Sequence, residues 1–170
     1  MLSSCKLIFI SFLLFAFASC EQVKEVELIE TDYGMTYPAD YVLDETGENG
    51  TTFFLKIPSK DSKTDFVSNI NLMVQDLEGL NLDLDGFVAM TEGQMKGVGE
   101  IIQTKRMKVD KTEFHSLIFE GNINGFDLKF LQYDYVKDNK AYVLTYTAKK
   151  DEFDKHFTQA KKVMDSFYFN

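Results

Sequence analysis

The sequence predicts an α+β fold in which helices pack on an antiparallel sheet of about six or seven strands. Short segments of alternating apolar and polar residues, separated by turn residues, recur along the chain and predict strands. Two further segments repeat apolar residues at three- to four-residue spacing, which predicts amphipathic helices. A hydrophobic content of 45%, with 16 Phe and 8 Tyr, is enough to build the core of one domain.

In the first part of the chain, alternation predicts strands at 33–37, 51–57 and 69–76. Pro38 ends the first strand, and the Gly-Glu-Asn-Gly segment at 47–50 predicts a turn before the second. A polar loop is predicted at 58–64. Apolar residues then recur at helical spacing from Asp83 to Gly97, and the strand pattern resumes at 100–109 and 113–120.

The C-terminal third predicts a hairpin followed by a helix. Strands at 126–136 and 140–147 flank a turn whose residues tolerate left-handed backbone. Both faces of the hairpin are largely apolar, so the sheet should be covered on both sides. Pairing Val136 with Ala141 sets a register with three further pairs on one face: Tyr135 with Tyr142, Tyr133 with Leu144, and Leu131 with Tyr146. The helix opens at Asp151, and its apolar stripe should cover the sheet: Phe153, Phe157, Ala160, Met164 and Phe167.

The N-terminus resembles a bacterial lipoprotein signal. Lys6 precedes an apolar run of about twelve residues, which Phe17-Ala18-Ser19-Cys20 ends with a cysteine after two small residues. We therefore expect a signal peptide at 1–19, a lipid group on Cys20, a charged tether over 20–30 and the folded domain over 31–170. The alternatives are an ordinary secretory signal with an accidental cysteine, and a retained membrane span, for which the apolar run is short.

Composition argues against several kinds of partner and site. The net charge is −9, or −10 without residues 1–19, which carry one lysine and no acid. Arg106 is the sole arginine and the lysines are scattered among acids, so nucleic acid is not expected as a partner. Removal of residues 1–19 would leave only Cys20, which excludes a disulfide framework or a cysteine metal site.

Several motifs occur in a recognisable order: Tyr37-Pro38-Ala39-Asp40-Tyr41, the segment from Phe66 to Leu72, the helix from Asp83, the long hairpin, and Met164-Asp165-Ser166-Phe167. This order resembles the PsbP-like family, including its DcrB-like bacterial lipoproteins, over about residues 32–170. The resemblance implies an α/β/α sandwich around an antiparallel sheet, and a role in binding or assembly rather than catalysis. The family offers no shared catalytic residues to transfer. The composition, rich in Asn, Lys, Asp and Phe, is also similar to that of Bacteroidetes lipoproteins.

Residues 81–92 match part of an EF-hand calcium loop, because Asn81, Asp83, Asp85, Gly86 and Glu92 fall at positions 1, 3, 5, 6 and 12. The first position normally needs a carboxylate, and the segment that precedes the loop has a strand pattern where an EF-hand has a helix. We therefore expect the aspartates to favour the N-terminus of the following helix, Glu92 to face solvent, and no metal to bind. A calcium-responsive protein is the alternative.

Other candidates for chemistry are weak. His115 is predicted in a strand and His156 beside the last apolar stripe, so neither has a second histidine at ligand spacing. Ser116 follows His115 directly, and strand alternation would turn the two side chains to opposite faces. Methionines are expected to fill the core rather than line a pocket: Met90, Met95, Met107 and Met164.

Taken together, these patterns predict a lipid-anchored, non-enzymatic binding or accessory module of the cell envelope. The outer membrane is the favoured location, with the domain facing the periplasm or the cell surface. The expected partners are the membrane, through the anchor, and an envelope protein or a small ligand, and no cofactor is expected. The alternative from another class is an envelope hydrolase that uses carboxylate chemistry.

Overall fold

The computed structural model describes residues 23–59, 65–109 and 111–170. Ten strands lie in these residues: β1 Glu25–Ile29, β2 Tyr33–Pro38, β3 Val42–Asp44, β4 Phe53–Lys56, β5 Asn69–Asp76, β6 Glu100–Val109, β7 Thr112–Ile123, β8 Phe126–Lys137, β9 Lys140–Lys149 and β10 Tyr168–Phe169. The helices are α1 Leu84–Met95 and α2 Phe153–Asp165, and a short 3-10 turn spans Glu48–Gly50. Neither described helix is long and apolar enough to cross a membrane.

The strands form two antiparallel sheets. The larger sheet has seven strands in the order β3-β4-β5-β9-β8-β7-β6, and the smaller has three in the order β1-β2-β10. The predicted α+β class and the predicted strand number of the main sheet are confirmed. Within the described residues, β3 and β6 are the two edges of the larger sheet, and β6 is the longer at ten residues against three.

The central hairpin of β8 and β9 has the predicted register. Tyr135 pairs with Tyr142, and the same ladder joins Tyr133 to Leu144 and Leu131 to Tyr146. In the turn, Asp138 and Asn139 have φ values of 51° and 57°, the left-handed conformation that residues of this type tolerate. Local turn chemistry and apolar alternation therefore specify the same pairing.

The larger core lies between one face of the seven-stranded sheet and a layer made of α2 and the small sheet. Met164 of α2, Met35 of β2 and Leu144 of β9 are fully buried in it. The hydroxyl of Tyr146 donates a 2.9 Å hydrogen bond to the carbonyl oxygen of Phe153. This bond gives the buried hydroxyl a partner and connects β9 to the first residue of α2. Burial of each large apolar side chain contributes about 1.5–3 kcal/mol, so this core fixes α2 and the small sheet on the large one.

Helix α1 covers the opposite face of β6, β7 and β8. Asp83 is its N-cap, and the carboxylate accepts a 2.8 Å hydrogen bond from the backbone N–H of Gly86. Phe87 packs with Ala141 of β9, and Met95 packs with a cluster on β7 and β8. With one helix on each side of the sheet, the layers are those of the expected α/β/α sandwich.

The N-terminal boundary differs from the sequence expectation. Residues 25–29, expected in the tether over 20–30, form β1, which pairs with β2 from Glu25 opposite Pro38 to Ile29 opposite Gly34. Leu28 is the only buried residue of β1, and one apolar contact in a charged segment produces too little alternation to predict a strand. The fold therefore begins before residue 31. The predicted signal peptide at 1–19 and the lipidated Cys20 lie outside the described residues.

The structure also differs from the sequence predictions at two short strands and at one residue of the last helix. β3 and β10 were not predicted, because strands of three and two residues are too short to show alternation. Phe157 was expected in the packed stripe of the last helix, but its side chain is only partly buried, at the margin of the core. The other members of that stripe are buried as predicted: Phe153, Ala160, Met164 and Phe167.

Candidate binding site

An apolar cleft lies on the α2 side of the large sheet, near the β6 edge. Helix α2 packs mainly on β2, β8 and β9, which leaves the same face of β6 and β7 open. The segment after α2 closes the far side of this opening. The cleft has a volume of about 310 Å³, at the lower end of the range for small-ligand sites. Its lining residues are Met107, Val109, Thr112, Phe114, Tyr135, Lys161, Asp165, Phe167 and Tyr168.

Aromatic rings form the floor of the cleft. The ring centroid of Phe114 lies 4.7 Å from that of Tyr133 and 5.0 Å from that of Tyr135. The ring centroid of Tyr135 lies 5.2 Å from that of Phe167. Ring contacts at these separations contribute about 0.5–1.5 kcal/mol each beyond the area that they bury. These ring contacts hold the floor in place, so an apolar ligand group can pack on it without rearrangement of the core.

Polar groups at the rim of the cleft are engaged with one another. The ammonium of Lys161 lies 2.6 Å from one carboxylate oxygen of Asp165, and the hydroxyl of Tyr133 donates a 2.8 Å hydrogen bond to the other. Burial raises the pKa of Tyr133, and the hydrogen bond to Asp165 raises it further. Burial also raises the pKa of Tyr135. Both phenols are neutral at physiological pH, so the cleft presents apolar surface beside an internally neutralised ion pair.

A second, more open cleft of about 540 Å³ lies at the end of the sheet beside the start of α1, and Arg106, Lys111, Glu113 and Lys137 are among its lining residues. Arg106 forms ion pairs there with Asp85 of α1 and, at 2.8 Å, with Glu113 of β7. Exposed ion pairs of this kind contribute about 0–1 kcal/mol. The open cleft is therefore a solvated, charged surface, and the apolar cleft is the better site for an apolar group.

A buried polar cluster lies under α1, on the opposite face of the same strands. His115 of β7 is paired across the sheet with Asp134 of β8, and the two residues are 7% and 0% exposed. The side-chain amide of Gln132 donates a 2.7 Å hydrogen bond to Oδ1 of Asp134. His115 Nε2 lies 2.6 Å from the hydroxyl of Thr104, which donates a 2.7 Å hydrogen bond to Glu92 of α1. The cluster thus connects the sheet to the helix that covers it.

Two atoms of this buried polar cluster find no hydrogen-bond partner among the described residues: Nδ1 of His115 and Oδ2 of Asp134. Burial raises the pKa of Asp134 to about 7, the nearby charge of Glu92 adds to the rise, and the Gln132 hydrogen bond opposes it. Burial lowers the pKa of His115, although Glu92 opposes that shift. The Asp134 carboxyl therefore keeps its proton to a higher pH than an exposed aspartate does, because it is fully buried.

The acidic residues that match the calcium loop each contact a different partner. Asp83 caps α1, Asp85 pairs with Arg106, and Glu92 accepts the hydrogen bond from Thr104. Glu92 therefore does not face solvent as freely as expected. No group of three histidine, cysteine or acidic side chains in the described part of the chain is placed to hold a metal ion.

The remaining candidates are dispersed. His156 is partly buried on α2, and Ser116 is in β7 opposite Tyr133 of β8, on the other face of the sheet from His115. Among the methionines, Met164 and Met95 are buried in separate cores, Met107 lines the apolar cleft, and Met90 is 38% exposed. Of the two histidines, only His115 lies beside an acid of the calcium-loop match, with Nε2 3.8 Å from a carboxylate oxygen of Glu92.

Comparison with solved structures identifies the fold. PsbP from the cyanobacterium Synechocystis aligns at a TM-score of 0.62 with 13% identity, over 92% of this chain and 99% of that chain. LpqN of Mycobacterium tuberculosis, a protein involved in cell envelope biogenesis, aligns at a TM-score of 0.66 with 14% identity, over 86% of this chain and 91% of that chain. A Pseudomonas aeruginosa protein of unknown function aligns at a TM-score of 0.59 with 13% identity, over 84% of this chain and 94% of that chain. The chain has a PsbP-like fold.

This PsbP-like fold confirms the fold that the order of motifs implied. No protein-family model matches the chain, and no curated protein sequence is significantly similar to it. Neither the apolar cleft nor the buried polar cluster was predicted from the sequence. Asp134 gave one signal, as an acid between two apolar neighbours, Tyr133 and Tyr135, in a strand predicted to be covered on both faces.

Proposed function

We propose that the protein is a non-catalytic binding module of the cell envelope, held at a membrane by lipid on Cys20. In this proposal the apolar cleft takes an apolar group of an envelope protein partner. The observation that carries the proposal is a pre-formed aromatic floor beside a neutralised Lys161–Asp165 pair, 2.6 Å apart, which suits binding without chemistry.

The anchor is supported by the lipoprotein-like signal and by the start of the fold. β1 begins at Glu25, five residues after Cys20. Five extended residues reach about 17 Å at most, so lipid on Cys20 would hold the domain close to the bilayer surface. An envelope location also fits the role given for LpqN, in cell envelope biogenesis. Several acyl chains, at about 0.8 kcal/mol per buried methylene, would make the attachment durable.

The absence of catalysis in this proposal follows from where the titratable groups lie. The strongly perturbed carboxyl, Asp134, is fully buried under α1, on the sheet face opposite to the apolar cleft. A general acid or base must come within about 3 Å of the proton that it transfers. A substrate in the apolar cleft would meet neutral phenols and an ion pair, so the hydrolase alternative has no support from this geometry.

Site-specific photo-crosslinking in intact cells tests the proposal. A benzophenone amino acid is placed at Val109, which lines the apolar cleft on β6 and is 56% exposed. Val42 provides a matched control, because it is 58% exposed and lies on β3, the opposite edge of the same sheet. Position 109 should give one discrete protein adduct in the membrane fraction, and position 42 should give none. Equal labelling from both positions, or no adduct from either, contradicts the proposal.

A further inference from the structure

The ten-residue strand β6 is an open edge of the large sheet. No hydrogen bond joins its outer side to another described segment. An unpaired edge strand presents a row of N–H and C=O groups that can pair with an added strand. β6 is also long enough to hold such a strand, since typical strands have about five or six residues.

The register of the β6–β7 hairpin shows which backbone groups are open. Val109 pairs with Thr112, only three positions further along the chain, and a closing pair at this spacing is hydrogen-bonded. Hydrogen-bonded and open residues alternate along an antiparallel strand. Lys108, Arg106 and Thr104 therefore direct their backbone groups away from β7, toward the open edge.

The two faces of this edge differ in chemistry. On the α2 side, Met107 and Val109 line the apolar cleft, so the side chains of an added strand that lie beside these two residues on this face would reach it. On the α1 side, Arg106 and Lys108 share the carboxylate of Glu113, at 2.8 and 3.2 Å. The strand carries three basic residues and one acid in a chain of net charge −9. Because side chains alternate, Lys105 lies on the α2 side with Met107, and Arg106 and Lys108 lie on the α1 side.

We propose that β6 receives an extended segment of the partner protein as an added antiparallel or parallel strand, in which apolar residues alternate with acidic ones. Apolar residues of that segment enter the apolar cleft, and acidic residues face Arg106 and Lys108 on the α1 side. Backbone pairing supplies affinity, and the alternate side chains supply specificity. This inference rests on the proposed function, because it describes how the same cleft is filled.

A second copy of this chain is a poorer occupant of the edge. Two β6 strands paired about a two-fold axis would place the basic side chains of one copy beside those of the other. Like charges directly opposite each other destabilise a sheet. The charge of the edge therefore favours an acidic segment from a different protein.

The test uses the full-length protein extracted in detergent and a capped nine-residue peptide of alternating glutamate and valine. Hydrogen exchange resolved to single amides is the measurement. The peptide should slow exchange at the open amides of Thr104, Arg106 and Lys108 at least tenfold, and leave β3 unchanged. A peptide of the same composition in two blocks, and one with lysine in place of glutamate, should protect none of these amides. Protection by either control peptide, or by none of the three, overturns the inference.

A matched pair of variants separates backbone pairing from charge. Lys108→Pro and Lys108→Ala both remove the side chain, but only proline removes the open N–H. Lys108→Pro should weaken peptide binding at least tenfold more than Lys108→Ala. Lys108→Glu should weaken it several-fold more than Lys108→Ala, whereas Lys155→Glu, an exposed change on α2, should not weaken it. Equal affinities within both pairs overturn the inference even where one variant folds poorly.

The proposed function and this inference fail differently. If the crosslink from position 109 persists while the peptide leaves the open amides unprotected, a partner occupies the apolar cleft without pairing to β6, and only the inference is overturned. If the crosslink is absent, the proposed function is overturned. Concentration-dependent protection of the same amides without peptide would identify a second copy as the occupant and would also overturn the inference.

Discussion

Asp134 is fully buried on β8, and its carboxyl has one hydrogen-bond donor, the Gln132 amide 2.7 Å away. Burial raises its pKa to about 7, whereas an unfolded aspartate titrates near about 3.9. Between these pH values the folded chain holds a proton that the unfolded chain has lost, so stability falls as pH rises through this window. Above it, the loss is on the order of 4 kcal/mol.

The contribution of His115 to stability changes with pH in the opposite direction. Burial lowers its pKa, so below about pH 6.5 the unfolded chain binds a proton that the folded chain binds less well. Its contribution to stability therefore falls as pH falls. The Asp134–His115 pair makes the fold sensitive to pH in both directions, and replacement of Asp134 should leave only the histidine effect.

Asp134→Asn should raise the free energy of unfolding at pH 7.5 by a few kcal/mol and change it little at pH 4.5, because the amide never ionises. Chemical denaturation of both proteins at the two pH values measures this. Asp138→Asn, in the exposed turn of the same hairpin, is the control for loss of one negative charge. If Asp134→Asn has the pH profile of the parent protein, the carboxyl is not buried and neutral as described.

At the scale of elements, α2 depends on its stripe of buried residues. Phe153 is 2% exposed, and its ring centroid lies 5.0 Å from that of Tyr146. Phe157 is only partly buried, with its ring centroid 5.3 Å from that of Phe153. The two phenylalanines occupy neighbouring turns of one helix, so they form a matched pair that differs in burial.

Phe153→Ala should lower the free energy of unfolding by about 3–5 kcal/mol, because it opens a cavity in the larger core. Phe157→Ala should cost clearly less, since part of that ring is already in water. Urea denaturation of both variants gives the comparison. Equal losses, or a larger loss from Phe157→Ala, would show that α2 is docked in a different rotation from the one described.

Elements were predictable where many residues repeat one signal. The alternation of β8 and β9, together with their turn, specified the register from Leu131 opposite Tyr146 to Tyr135 opposite Tyr142. β1 was missed because only Leu28 is buried in a charged strand. The apolar cleft was missed because it depends on where α2 stops over the sheet, and that position is set by packing between distant segments.

At the scale of the whole molecule, the protein is an acidic domain of net charge −9 whose fold begins close to a candidate lipidation site. A short connection would restrict the domain to the membrane surface, with its β6 edge and apolar cleft available to a neighbouring chain. Restriction of this kind raises the effective concentration of a membrane-bound partner, so a modest cleft can suffice for binding.

The mass of the N-terminal fragment of the membrane-extracted protein tests the central claim most directly. We predict a mature chain that begins at Cys20 and carries the added mass of diacylglycerol and an acyl chain, in a protein that partitions into detergent. Cys20→Ser should remove the added mass and the partitioning together. A fully soluble wild-type protein with an unmodified fragment and a terminus at another residue would contradict lipid anchoring at Cys20.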